Sequence, residues 1–258
     1  MRFQISQQTR IQQEIYKHLL KSSKDLQKTP FPSKYEHQTF SQNGEDGIIQ
    51  EIFSRIGTER GTFLEIGAGD GNENNTRLLL ELGWQGTWIE GNKSACESAR
   101  EKFSRFTDSG SLKIINAEVS PANINQLLKK ESVPTEVDLF SLDIDMHTHH
   151  VWNEINYLEV ACSIIEYNGF FPKEALWTTD YRKGQVWDGS INMGASLKAI
   201  DKIALRKKMK LIGCDSTGTN AFFANEQITK DYFPEANIQN SIFEPARPFL
   251  VNDPEHKR

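Results

Sequence analysis

Apolar and polar positions change rhythm along this chain, and the changes separate strands from helices. Short apolar runs rich in β-branched and aromatic residues predict strands at 62–67, 86–90, 112–117, 137–143, 160–166, 210–215 and 220–224. Between them, apolar residues three and four apart predict helices near 75–83, 94–105, 122–130, 150–157 and 194–207. Strands that alternate with helices need crossover connections, so the fold class is α/β with a mainly parallel, seven-stranded sheet. The last two strands are joined only by Ser216-Thr217-Gly218-Thr219, too short for a crossover helix, and an antiparallel hairpin should end the sheet. Upstream, Ser41-Gln42-Asn43-Gly44-Glu45-Asp46-Gly47 leads into a helix over Ile48 to Ile56. Ile5, Ile11, Ile15, Leu19 and Leu20, set among Gln and Lys, suit an amphipathic helix over residues 4 to 21, which Lys28-Thr29-Pro30-Phe31-Pro32-Ser33 breaks. The chain thus divides into a helical extension (1–40), an α/β domain (41–245) and a tail (246–258). The extension reads as an oligomerisation arm or a lid.

Composition narrows the function classes. A chain of 258 residues with 37% hydrophobic content can bury the core of one full α/β domain. A net charge of -5 gives no general attraction to phosphate backbones, which argues against nucleic acid as the main partner. The basic run Arg206-Lys207-Lys208-Met209-Lys210 fits the solvated end of a helix, where cations complement the dipole. Cys96, Cys162 and Cys214 are far apart and odd in number, so neither a disulfide framework nor a structural zinc site is expected. Without an apolar core near Met1 or a window of membrane-spanning length, the expected location is the cytoplasm.

The richest stretch is Phe63-Leu64-Glu65-Ile66-Gly67-Ala68-Gly69-Asp70-Gly71, an apolar strand running into three glycines at alternate positions. Glycine there lets backbone N–H groups approach a ligand, and the strand delivers the loop to the carboxyl edge of the sheet. Dinucleotide folds instead use G-x-G-x-x-G opening a helix. The present spacing, with the carboxylate of Glu65 before it, suits S-adenosylmethionine, which carries sulfonium and ammonium charges. Thr87-Trp88-Ile89-Glu90 then ends in an acid placed for ribose hydroxyls, a feature shared with NAD folds.

Several phrases together resemble one family. Ser41-Gln42-x-Gly44-Glu45-Asp46-Gly47, the glycine loop, Leu142-Asp143-Ile144-Asp145, Ile165-Glu166-Tyr167-Asn168, Trp187-Asp188-Gly189 and Gly194-Ala195-Ser196-Leu197 are similar to motifs of the FkbM-type methyltransferases, over residues 40 to 225. The resemblance implies a class I Rossmann-like fold and methyl transfer from S-adenosylmethionine to a hydroxyl of a saccharide or natural product. It implies a cofactor site made of Glu65, Gly67, Gly69 and Glu90, with Glu118, Asp143, Gln42 and Glu45 as further candidates. For Glu45 the alternative is a charge in the first turn of a helix, favoured by the dipole alone.

Chemistry should sit at the ends of the fourth and fifth strands, where Asp143 and Asp145 share one side, and Glu166 and Asn168 another. Asp145, Glu166 and Asn168 offer hard oxygen ligands for Mg²⁺ or Mn²⁺, which would orient and acidify a diol. The alternative is that Asp143 touches cofactor while Asp145 and Glu166 cap helices and hold loops. Met146-His147-Thr148-His149-His150 holds three of the six histidines and departs from the family, whose relatives usually carry Gly-Asn-Asp-Tyr-Trp here. Read as alternating along an extended stretch, His147 and His149 are candidates for a general base, as is Asp145, and His147 also for a metal ligand that would admit Fe²⁺ or another softer ion. The plain alternative is a surface loop. Asp-Met-His-Thr-His also resembles the first metal motif of PHP-type phosphoesterases, but only His256 follows His150, so the further histidines that chemistry needs are missing.

A long connection after the fifth strand carries Trp177, Tyr181 and Trp187, flat faces for a sugar or ring, and Arg182 with Lys183, which would suit a substrate phosphate such as that of a nucleotide-sugar. Packing of those aromatics on the domain itself is the alternative. Two further readings stay open: an NAD(P)-dependent oxidoreductase, which the glycine spacing disfavours, and an S-adenosylmethionine-binding partner subunit without catalysis.

Overall fold

The computed structural model describes residues 31–234, together with 236, 238 and 239. The helix expected over residues 4 to 21 and the tail after 245 lie outside the described residues. Seven strands form one sheet: β1 (Thr62–Ile66), β2 (Gln85–Glu90), β3 (Leu112–Asn116), β4 (Glu136–Leu142), β5 (Glu159–Glu166), β6 (Met209–Cys214) and β7 (Asn220–Asn225). Their order is β3-β2-β1-β4-β5-β7-β6. The first five pair in parallel, and β7 runs antiparallel to both β5 and β6, so the expected terminal hairpin is present.

Strand periodicity sorts the core into two layers. Phe63, Leu139, Ile164 and Phe222 belong to one apolar cluster, with Ile48, Ile52 and Phe53 of helix α1 (Glu45–Ile56) and Leu79 of α2 (Arg77–Glu81). Leu64, Phe140, Ile165 and Phe223, one residue later on the same strands, belong to the other. There they join the apolar faces of α5 (Ile124–Lys130), α6 (Thr148–Glu154) and α7 (Leu197–Arg206). The result is a helix–sheet–helix sandwich.

Three local outcomes differ from the expectation. The helix near 94–105 breaks at Phe103 into α3 (Lys93–Lys102) and α4 (Ser104–Asp108). A helix absent from the reading, α8 (Glu226–Tyr232), starts where Asn225 Oδ1 accepts from Ile228 N at 3.0 Å, a side-chain cap that the Asn-Glu pair signals in sequence. The histidine segment is not extended: Asp145–His147 form a 3-10 turn that runs directly into α6. Residues 31–36 pack on the sheet. Ser33 Oγ accepts from Cys214 N at 3.3 Å, and Glu36 accepts both the backbone N–H and the hydroxyl of Ser216 at 2.8 Å. Among the described residues, no helix is long and apolar enough to cross a membrane.

Candidate active site

The strand order reverses direction between β1 and β4, because β1 continues to β2 on one side while β4 opens the other half of the sheet. Such a switch point leaves a crevice beyond the carboxyl ends of the strands. Both sequence-predicted motif groups converge on it, the glycine turn after β1 and the acidic residues after β4 and β5.

The glycine turn is tied to its neighbours by backbone bonds. Gly67 N donates to Ile89 O at 2.9 Å, and Asp143 N to Ile66 O at 3.0 Å. Gly67 has φ +88° and Gly69 φ +58°, both in the left-handed region that disfavours side chains. At Gly67 the close neighbour is protein: a Cβ would lie 1.7 Å from the Asp143 carbonyl oxygen. Glycine is therefore needed there to let β1 and β4 leave the sheet side by side, which corrects the reason that the sequence suggested. Glu90, half-buried, accepts from Gly69 N at 2.8 Å and Asn92 N at 2.7 Å, so it braces the turn from the end of β2.

Glu65 faces inward. Its carboxylate accepts from Asn75 N (2.9 Å), Thr76 N (3.1 Å) and Thr76 Oγ1 (2.6 Å), and that hydroxyl in turn accepts from Trp88 Nε1 at 2.8 Å. Burial pushes the Glu65 carboxyl up to about 7, against the downward pull of the Thr76 and Asn75 donors, and the nearby Asp143 charge adds a smaller push. Its place is thus that of an anchor for the segment entering α2, not of a charge turned to a ligand. Sequence reading missed Asn75 and Thr76 in this role, although Asn-Asn-Thr before an apolar run is a helix-start signal.

The remaining cofactor candidates divide. Asp143 is half-buried at the crevice, while Glu118 is exposed after β3 and Gln42 is exposed before α1. Glu45 is fully buried and accepts from Asn43 N (2.8 Å), Asn43 Nδ2 (3.2 Å) and Asn220 Nδ2 (2.8 Å), which makes it a tie between α1 and β7.

Asp143, Asp145 and Glu166 come together: one carboxylate oxygen from each lies within 4.8 Å of the others. Asp145 is exposed and has φ +61°, Asp143 is half-buried and Glu166 is buried. Burial raises the Glu166 carboxyl well above the usual range, with the Asp143 and Asp145 charges adding to it and the Thr148 hydroxyl, 2.6 Å away, opposing them. A group of acids that resist joint ionisation fits a divalent cation, whose charge removes the repulsion.

His147, placed with the metal from the sequence, does not join this group, and the side chain of Asn168, placed there too, is engaged by backbone groups. Asn168 Nδ2 donates to the carbonyls of Ile191 and Met193, both at 2.8 Å, and its Oδ1 accepts from Phe170 N at 3.0 Å. The three histidines face the long connection. His147 Nε2 donates to Arg182 O at 3.0 Å, and the Nε2 atoms of His149 and His150 donate to Thr179 O at 3.2 and 2.9 Å. A carbonyl only accepts, so each Nε2 carries the proton. The Nδ1 atoms of His147 and His149 are buried without a hydrogen-bond partner. Burial lowers the pKa of both rings, that of His149 to about 4, with the neighbouring imidazoles adding to the effect. They are neutral clasps on the connection, with lone pairs turned away from solvent, and this geometry does not favour a base role for them.

Of the expected substrate residues, Trp177 stacks on Phe171 (4.4 Å between centroids, 23° between planes), so one face is taken. Tyr181, 39% exposed, packs beside His147 at 4.8 Å. Arg182 is exposed, and Trp187 Nε1 donates to Ser190 O at 2.7 Å.

Comparison with known proteins yields no matching family model and no matching curated protein. Solved structures do resemble it. The TehB-like SAM-dependent methyltransferase from Corynebacterium glutamicum is 12% identical over 68% of this chain and 86% of its own, with a TM-score of 0.40. Magnesium protoporphyrin IX methyltransferase from Synechocystis, solved with bound SAM, is 12% identical over 83% and 97%, with a TM-score of 0.44. A putative methyltransferase from Escherichia coli is 10% identical over 70% and 85%, also with a TM-score of 0.44.

Proposed function

We propose that this chain is an S-adenosylmethionine-dependent O-methyltransferase of the FkbM type, assisted by a divalent cation and acting on a hydroxyl of a saccharide, nucleotide-sugar or secondary metabolite. The observation that carries the reading is the meeting, at the sheet's switch point, of the glycine turn braced by Glu90 with the carboxylates of Asp143, Asp145 and Glu166. When bound, the cofactor supplies an electrophilic methyl on sulfonium and the cation supplies positive charge that favours an ionised acceptor hydroxyl.

In this reading the turn at Gly67 and Gly69 and the acid of Glu90 hold the cofactor. Asp143, Asp145 and Glu166 hold the cation, with Mg²⁺ or Mn²⁺ preferred because all three offer carboxylate oxygen. Asp145, the exposed member, would accept the proton of the acceptor hydroxyl, leaving that oxygen able to take the methyl group that the bound cofactor would supply. Much of the acceleration comes from positioning the acceptor in line with that bond. Tyr181, Arg182, Trp187 and Trp177 border the acceptor.

Methyl-labelled S-adenosylmethionine, offered with a panel of catechols, vicinal diols and nucleotide-sugars in the presence of Mn²⁺ or a chelator, tests this reading. Transfer that the chelator abolishes supports it. Cofactor binding without transfer to any acceptor would favour the non-catalytic subunit.

A further inference from the structure

Thr148 is 1% exposed and sits where the 3-10 turn carrying Asp145 passes into α6. Its hydroxyl touches three groups. Ile144 N donates to Oγ1 at 3.2 Å, and Oγ1 lies 2.6 Å from Glu166 Oε2 and 3.4 Å from Asp145 O. A hydroxyl has one proton to give, and the short contact assigns it to Glu166. A chain of donors therefore runs from the Ile144 amide through Thr148 to Glu166. It joins the loop after β4 to the last residue of β5 at the point where two of the three clustered carboxylates must be held at a fixed separation.

We propose that Thr148 is a positioning residue for the acidic cluster: its hydroxyl stops the Glu166 carboxylate from rotating and pins the turn that presents Asp145, so that both meet a divalent cation with Asp143. The inference rests on the cation reading above. Partners that orient a metal's ligands commonly change its affinity ten- to a hundred-fold when lost. Asp145 adds a reason for such a tie, since its φ of +61° lies in the left-handed region that is uncommon outside glycine. The three histidines of the Met146–His150 segment point their Nε2 atoms elsewhere, to the carbonyls of Thr179 and Arg182.

The test is Mn²⁺ titration of the full chain, followed by the electron paramagnetic resonance of the free ion, with S-adenosylhomocysteine affinity measured on the same samples. Thr148→Val keeps the shape and removes the hydroxyl; Thr148→Ser keeps the hydroxyl. The expected result is at least a ten-fold loss of Mn²⁺ affinity in the valine variant and less than a three-fold loss in the serine variant. S-adenosylhomocysteine affinity should stay within two-fold in both. If valine prevents folding, the smaller Thr148→Ala carries the same expectation. Equal Mn²⁺ affinity in wild type and the hydroxyl-less variant overturns the role of Thr148 alone. A serine variant as weak as the hydroxyl-less one overturns it too, by placing the effect in packing. A wild-type chain that binds no Mn²⁺ overturns the cation reading and this inference with it.

Discussion

The carbonyl oxygen of Asp143 occupies the place where a side chain on Gly67 would begin, 1.7 Å from an added Cβ. The two strand ends that frame the crevice are thus in backbone contact, and residue 67 serves the fold before it serves a ligand. Gly67→Ala should destabilise the protein by roughly 3 kcal/mol or more, since it adds overpacking to an unfavourable φ. It should also weaken S-adenosylhomocysteine binding at least ten-fold. Denaturant unfolding and calorimetry measure the two effects. Unchanged stability would mean that β1 and β4 separate easily at this point.

Glu65 makes stability depend on pH. Its carboxyl is raised from 4.5 to about 7, so between these values the native state holds a proton that the unfolded chain has released. Stability should therefore fall as pH rises from 4.5 through 7, by at most roughly 3 kcal/mol from this group, and level off above. Denaturant unfolding at pH 5 and pH 8 should show a smaller difference in Glu65→Gln than in wild type. A larger one would reverse the sign of this account.

Asp145→Ala should separate metal from cofactor. Removing one of three clustered carboxylates is expected to weaken Mn²⁺ at least ten-fold and to leave S-adenosylhomocysteine within two-fold of wild type. Equal losses in both would move Asp145 into the cofactor site.

His149→Ala should loosen the connection rather than stop the chemistry. Without the Nε2 donor to Thr179 O, amide exchange over residues 178–183 should quicken several-fold while methyl transfer falls less than ten-fold. A loss of a thousand-fold in turnover, with Mn²⁺ and cofactor still bound, would restore His149 as the base.

Legibility in the sequence followed the range of the interactions involved. All seven strands were visible because each is a short apolar run with clear breaks beside it, and the hairpin followed from the shortness of Ser216–Thr219. The acidic group was visible because Asp143, Asp145 and Glu166 end adjacent parallel strands, a placement that topology alone determines. The contacts of Asn168 and the histidines were not legible because their partners, the carbonyls of Thr179, Arg182, Ile191 and Met193, lie in an irregular connection with no periodicity to follow. The donors that claim Glu65 were not legible for a related reason: they come from the turn before α2, whose path back to β1 no spacing rule gives. Thr148 carried no sequence signal at all, since its importance lies in one contact with a residue on another strand.

Calorimetric titration of S-adenosylhomocysteine into the full chain, with NADH and NADPH as parallel titrants, tests whether the β1–β4 switch point is a site for S-adenosylmethionine. The expected result is saturable one-to-one binding of S-adenosylhomocysteine, lost in Gly67→Asp, and no heat from either nicotinamide. Absence of S-adenosylhomocysteine binding, or tighter binding of NADH or NADPH, would contradict it.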